Sequence, residues 1–159
     1  MEQIERVRRL LDESHFMSLA TASKNAVPWG SPIFFGVDED LVFYWLSSPE
    51  AQHSKNIHAN PLAFITIYDS TRRDWDGFGV FFSTRAEKID ETDLDALAKA
   101  HETCFKKAGR SLVDPSVYTG DYPRKYYRAT VEEAWINDIE QVNGVDVDIR
   151  KRINLASLY

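Results

Sequence analysis

Seven short apolar stretches, each rich in aromatic or β-branched residues and bounded by turn residues, most restrict what this chain can fold into. They are Phe16–Ala22, Val27–Val37, Leu41–Ser47, Leu62–Tyr68, Gly79–Ile89, about Tyr126–Asn137 and Val145–Ile153. The first three follow one another across short polar turns, which predicts an antiparallel meander. Asn143-Gly144 is a strong two-residue hairpin signal joining the last two. The stretch Val27–Val37 carries Pro28, Gly30 and Pro32. Those residues interrupt ladder pairing, so this strand belongs at a sheet edge, at a bulge, or beside a ligand. Three helical patterns stand between the strands. Ile4, Val7, Leu10 and Leu11 recur at helical spacing. Ser47-Ser48-Pro49-Glu50 has the spacing of a capping box and opens a helix ending near Asn60-Pro61. Glu91 to about Lys107 forms a longer helix closed by Gly109. Asp69–Gly77 reads as a polar loop containing Trp75. The expected architecture is mainly β: six or seven antiparallel strands with helices on the margins. Closing or half-closing the sheet into a barrel removes its exposed edges. With 159 residues and no repeat or linker, positions 1–159 form one domain.

Composition excludes several functions. There are 19 Lys+Arg against 25 Asp+Glu, a net charge of −6, so an extended polyanion such as nucleic acid is repelled. The one cysteine, Cys104, cannot form an intrachain disulfide and reads as a small buried hydrophobe. The charged start MEQIERVRRLLDE lacks the apolar core of a signal peptide, and no run approaches the ~20 apolar residues of a membrane span. The expectation is a cytoplasmic protein without a membrane partner. His15, His53, His58 and His101 form no zinc-binding pair, so no metal site is expected; no Walker loop or nucleophile elbow occurs. Gly77-Phe78-Gly79 precedes a strand rather than a helix and is no dinucleotide fingerprint. Side chains alone offer no catalytic set, which shifts the weight to a cofactor.

Residues 41–67 carry the clearest functional pattern. A strand ends at Ser47, a helix begins, and Ala51-Gln52-His53-Ser54-Lys55-Asn56 occupies its first turns. Unpaired N–H groups at a helix start favour phosphate. His53, Ser54 and Lys55 would add a ring donor, a hydroxyl and an ammonium. On spacing alone, the favoured reading is a solvated Lys55 and a packed or capping His53, since short polar helices of this kind are common.

The order of elements adds to this. The run FMSLATAS, PWGSPIFFGV, DLVFYWLSS, A-x-H-S-K-N-I-x-x-N-P and VFFSTRAEKI resembles the pyridoxamine 5'-phosphate oxidase-like family of FMN-binding split β-barrels. The resemblance spans roughly residues 10–90 closely and the later strands loosely. It implies a homodimer with FMN at the subunit interface and a small-molecule substrate. By position, Ser31, Pro32, Ile33 and Phe34 would line the isoalloxazine and ribityl chain, as would Tyr44, Trp45, Leu46 and Ser47. His53, Ser54 and Lys55 would hold the phosphate. Gly79 would approach the flavin of the partner subunit, while Asn56, Ile57 and Pro61 would position the helix.

Three departures argue against vitamin B6 oxidation. Phe78-Gly79 stands where the oxidases carry Arg-Gln. The tail Val147-Asp148-Ile149-Arg150-Lys151-Arg152 lacks their Arg-x-His motif. His53-Ser54-Lys55 replaces their Ser-Arg-Lys. The resemblance therefore implies an FMN-dependent oxidoreductase of unassigned substrate. The alternatives are a flavin carrier or stress-related sensor without turnover, and the same fold holding a deazaflavin or heme.

Overall fold

The computed structural model of the chain describes residues 2–71 and 77–158. Trp75 and the centre of the loop expected at Asp69–Gly77 lie outside the described residues. Helix α1 (Glu2–Glu13) is followed by strands β1 (Phe16–Ala22), β2 (Pro28–Phe34), β3 (Gly36–Val37) and β4 (Val42–Ser47). Helix α2 (Gln52–Ala59) leads to β5 (Leu62–Tyr68) and β6 (Gly79–Lys88). Helix α3 (Leu94–Lys107) and a 3-10 turn at Pro115–Tyr118 lead to β7 (Lys125–Val142) and β8 (Val145–Ile153), and a second 3-10 turn occupies Leu155–Leu158.

All strand pairs are antiparallel, in the order β2-β1-β5-β6-β7-β4-β3, with β8 on β7. The two ends of that path, β2 and β3, are separated in sequence by Phe35 alone. A flat sheet would hold its end strands roughly 29 Å apart, at about 4.8 Å per strand. One residue cannot span that distance, so the sheet curls until its ends meet. Among the described residues β2 does not pair with β3 or β4, which leaves a seam. The result is the expected split barrel with flanking helices.

The strand expected at Val27–Val37 is broken at Phe35. Its side chain turns fully into the interior, against Phe43 at 5.5 Å between ring centroids. Next to it, Gly36 lies against α3. A Cβ at Gly36 would stand 2.8 Å from both the carbonyl carbon and the oxygen of Thr103. This close approach explains the break better than Pro28, Gly30 or Pro32, which sit on the edge strand β2 as their chemistry requires.

Inside, alternate residues of β1 (Met17, Leu19), β5 (Ile65, Ile67) and β6 (Val80, Phe82) join Phe43 and Trp45 in one apolar core. Helix α1 adds Val7, Leu10 and Leu11. Outside, α3 places Leu97, Ala100 and Cys104 on Tyr44 and Tyr126, forming a second cluster. Strand β4 is thus covered on both faces. Burial pushes the Cys104 thiol up to about 12, as befits a buried hydrophobe.

Several boundaries differ from expectation, among them the start of α3, at Leu94 behind its cap Asp93 rather than at Glu91. Helix α2 begins at Gln52, later than the capping box at Ser47–Glu50 predicts, so its cap position falls on Ala51, which has no side-chain acceptor, and the Ser47 hydroxyl bonds to His53. Strand β7 runs five residues past Asn137, to Val142, where its hairpin with β8 extends beyond the last β6 partner at Ile136.

The Gly36–Thr103 approach is testable. Gly36→Ala should destabilise the fold by about 1–3 kcal/mol, the usual cost of overpacking a close contact. Urea denaturation measures it; an unchanged midpoint would mean that α3 yields freely at this point.

Candidate functional site

The site is assembled where α2 crosses the end of the barrel. His53, in the first turn of α2, is 7% exposed. Its Nδ1 lies 3.3 Å from the Ser31 hydroxyl on β2, and its Nε2 lies 2.6 Å from the Ser47 hydroxyl at the end of β4. One imidazole thus bridges the two sides of the seam through α2. Hydroxyls both donate and accept, so either tautomer satisfies the bridge. Burial holds the imidazole below its ordinary pKa, which keeps the bridge neutral near pH 7. Asn56, one turn later, donates to the Thr21 hydroxyl at 3.0 Å and accepts from Gln52 at 2.9 Å, and Ile57 is buried. These contacts dock α2 onto β1.

On its other side α2 borders a groove of about 650 Å³. Ser54, Lys55 and His58 line it from the helix, and Ala86, Lys88 and Tyr127 from β6 and β7. The Ser54 hydroxyl is buried and makes no hydrogen bond of good geometry. It lies near the Tyr127 phenol, which burial holds above its ordinary pKa and Ser54 partly lowers. Beneath, Tyr127 stacks on Trp45 at 5.8 Å, and the Trp45 indole N–H is also buried without a partner. At the rim, Lys55 pairs with Glu50 at 3.0 Å, both side chains being largely exposed. An exposed pair is worth at most about 1 kcal/mol, so an arriving anion can displace it.

The twelve residues singled out from the sequence fall into five places. Ser31, Ser47 and His53 meet at the seam, and Ser54 and Lys55 line the groove. Pro32 is exposed on β2, while Ile33 and Phe34 are partly buried, Phe34 edge-on to Phe16 at 6.0 Å. On β4, Trp45 points into the core, whereas Tyr44 and Leu46 pack towards α3. The Tyr44 hydroxyl is held by Asp38 at 3.1 Å, and burial followed by the Asp38 charge raises its phenol. Gly79 starts β6 at the far end from the groove, which is lined by the other end of the same strand. Nine residue steps of about 3.3 Å make roughly 30 Å, so Gly79 and Lys55 do not meet in one protomer. Tyr127, Ala86 and Lys88 escaped notice because they join α2 only through sheet closure. Among the described residues no cluster of His, Cys, Asp or Glu could hold a metal ion.

Comparison with known proteins agrees with this architecture. A sequence profile described as pyridoxamine 5'-phosphate oxidase matches residues 4–138. The chain belongs to the pyridoxamine 5'-phosphate oxidase-like family. No characterised protein in the curated collection matches it. Among solved structures, a heme-binding protein from Mycobacterium smegmatis is similar, with 22% identity and a TM-score of 0.67 over 94% of this chain and 57% of that one. This chain thus spans little more than half of that protein. HutZ, the heme storage protein from Vibrio cholerae, shares 19% identity, with a TM-score of 0.61 over 80% of this chain and 89% of that one. An F420 reductase shares 18%, with a TM-score of 0.57 over 80% and 94%. Identities this low establish the fold alone. No helix among the described residues is long and apolar enough to cross a membrane.

The seam bridge carries a stability consequence. His53→Ala leaves two buried hydroxyls without their partner and should cost about 1–3 kcal/mol for each hydroxyl left unpaired. Because the folded state disfavours His53 protonation, the stability it contributes is full above the ordinary value of about 6.5 and declines as pH falls below it. Denaturation midpoints between pH 7.5 and 5 should fall for the wild type and fall less for His53→Gln. Parallel curves would remove His53 from the pH dependence.

Proposed function

We propose that this protein binds FMN, acts as a homodimer with the flavin between subunits, and serves as a flavin-dependent oxidoreductase on a small molecule. The observation that carries the reading is the start of α2. There an uncapped helix N-terminus, the unpaired buried hydroxyl of Ser54 and the Lys55 ammonium adjoin one groove. Each of those groups favours a phosphate ester, and they supply local positive potential within an acidic chain. The groove volume falls in the range of about 300–1,000 Å³ common for cofactors. These residues therefore fit the phosphate end of FMN. When bound, FMN supplies hydride chemistry at its ring. This chain's part is to hold the phosphate with Ser54 and Lys55, orient α2 through the His53 bridge, and exclude water with the Tyr127–Trp45 stack. The dimer is supported by the family; in it, Gly79 would meet the flavin held by Lys55 of the other protomer.

A second reading keeps the fold and exchanges the ligand, because similar solved structures are described as a heme-binding protein, a heme storage protein and an F420 reductase. His58 is the one imidazole among the described residues lining the groove. A flavin carrier or sensor without turnover is a third.

The visible spectrum of the purified protein separates these readings: flavin bands support FMN and a Soret band supports heme. A colourless protein that takes up neither added FMN nor F420 overturns the flavin readings. Lys55→Ala should weaken FMN binding by about 1–3 kcal/mol, the scale of a charge-assisted hydrogen bond, and leave riboflavin, which lacks the phosphate, unaffected. Equal loss for both ligands would place Lys55 away from the phosphate. Light scattering of the FMN-loaded protein should give twice the 18.3 kDa chain mass.

A further inference from the structure

The cluster under α3 contains a histidine that the proposed site does not use. His101 is 2% exposed. Its ring packs on Phe105 at 4.0 Å and on Tyr118 at 5.6 Å between centroids. The backbone N–H of Val113 donates to its Nε2 at 3.1 Å. Nε2 must therefore carry a lone pair, which places the ring proton on Nδ1, 3.0 Å from the Tyr126 hydroxyl oxygen that accepts it. The tautomer is thus dictated by a group that can only donate.

Val113 belongs to the connection between α3 and β7, a strap with identifiable fastenings. It begins at Gly109 and bends again at Gly120, both in the left-handed region, with φ of +63° and +57°. Near Gly120 it is clasped by Lys125, whose ammonium donates to the Gly120 carbonyl at 2.6 Å and to Glu91 at 3.0 Å. Between the glycines the described fastenings to the body of the protein are the Arg110 N–H donating to the Phe105 carbonyl at 3.0 Å, close to the hinge at Gly109, the Val113–His101 hydrogen bond, and the packing of Tyr118 on His101, Phe105 and Tyr126. The side chains of Leu112, Val113 and Val117 are exposed.

We propose that His101 is a proton-operated latch: the neutral imidazole holds residues 110–118 closed over Phe105 and Tyr126, and a proton on Nε2 releases them. A protonated Nε2 presents a hydrogen to a Val113 N–H that has only a hydrogen to offer, so the bond is lost outright rather than weakened. The strap then lifts between its glycine hinges, while the Lys125 clasp retains its far end.

The charged and titratable groups around the ring are few. Asp114 and Tyr118 on the strap and Tyr126 on β7 face the ring itself, and Cys104, Tyr122 and Arg124 act on its partner Tyr126. Asp114 is the one nearby carboxylate that favours the imidazolium, and burial opposes it more strongly, so His101 lies below its ordinary value. The closed form therefore binds the proton less tightly than the open form. Closure is complete above about pH 6.5, and opening grows as pH falls, by up to about tenfold per unit.

Amide hydrogen exchange on the full-length protein tests this. After correction for intrinsic rates, residues 110–118 should lose protection by up to about tenfold between pH 7.5 and 5.5, while β5 and β6 do not. Gln at position 101 accepts from Val113 and donates to Tyr126 without titrating, so His101→Gln should abolish the pH dependence. Should that variant fail to fold, the imidazole nitrogen resonances of the wild type decide. They should report the Nδ1–H tautomer at pH 7.5 and titrate with the same midpoint as the exchange. Strap protection that does not change with pH, a glutamine variant that still opens on acidification, or an Nε2–H tautomer would each overturn the proposal.

Discussion

The single-residue link between the two ends of the sheet is the constraint on which the rest of the structure depends. Strands β2 and β3 terminate the pairing path, yet only Phe35 lies between them. The sheet must curl to satisfy that connection, and Phe35 is driven into the barrel as it does so. Where the ends meet, the ladder is interrupted and polar groups gather. The His53 bridge between Ser31 and Ser47 is the local answer to that interruption. It spans the seam with side chains where backbone pairing is missing, and in doing so it fixes the start of α2.

That placement connects fold to chemistry. A helix start is useful to an anion only if it is held still and left uncapped, and both conditions hold here. The cap position is Ala51, which has no side-chain acceptor, while the His53 bridge and the contacts of Asn56 and Ile57 dock the helix on the barrel. The opposite flank of α2 can then open on the groove floored by Tyr127. The charges at its rim are pre-paired and exposed, so the net acidity of the chain does not bar a small phosphate. Family membership describes the scaffold. Relatives of this fold are described with different ligands, so the ligand must be argued from the groups at α2.

The outer layer follows a different logic. Helix α3 covers β4 and β7 with a smaller, more aromatic cluster, and its contact with the barrel tightens at Gly36. Along the strap that leaves α3, the backbone N–H of Val113 is held by an imidazole acceptor, His101. Histidines at the seam and under α3 are both buried and both neutral near pH 7, yet they differ in kind. His53 meets hydroxyls, which can reverse their roles on protonation, whereas His101 meets a backbone N–H, which cannot.

Much of this was legible in the sequence, and for definable reasons. The alternation in FMSLATA and LAFITIY, the Asn143-Gly144 turn and the prolines of PWGSPIF are local signals, and the strands, the last hairpin and the edge position of β2 follow from them. Ser31, Ser47, His53, Ser54 and Lys55 stood out by residue type and by family resemblance. What the sequence by itself determined was which segments extend, which coil, and which polar residues stand near the start of α2. Only the tertiary structure decided that Ser47 bridges rather than caps, that Tyr44 faces α3 while Trp45 faces the core, and that Tyr127 floors a groove beside Ser54. Those outcomes depend on contacts between residues separated by up to about eighty positions. Such contacts are set by closure of the sheet, which no local pattern encodes.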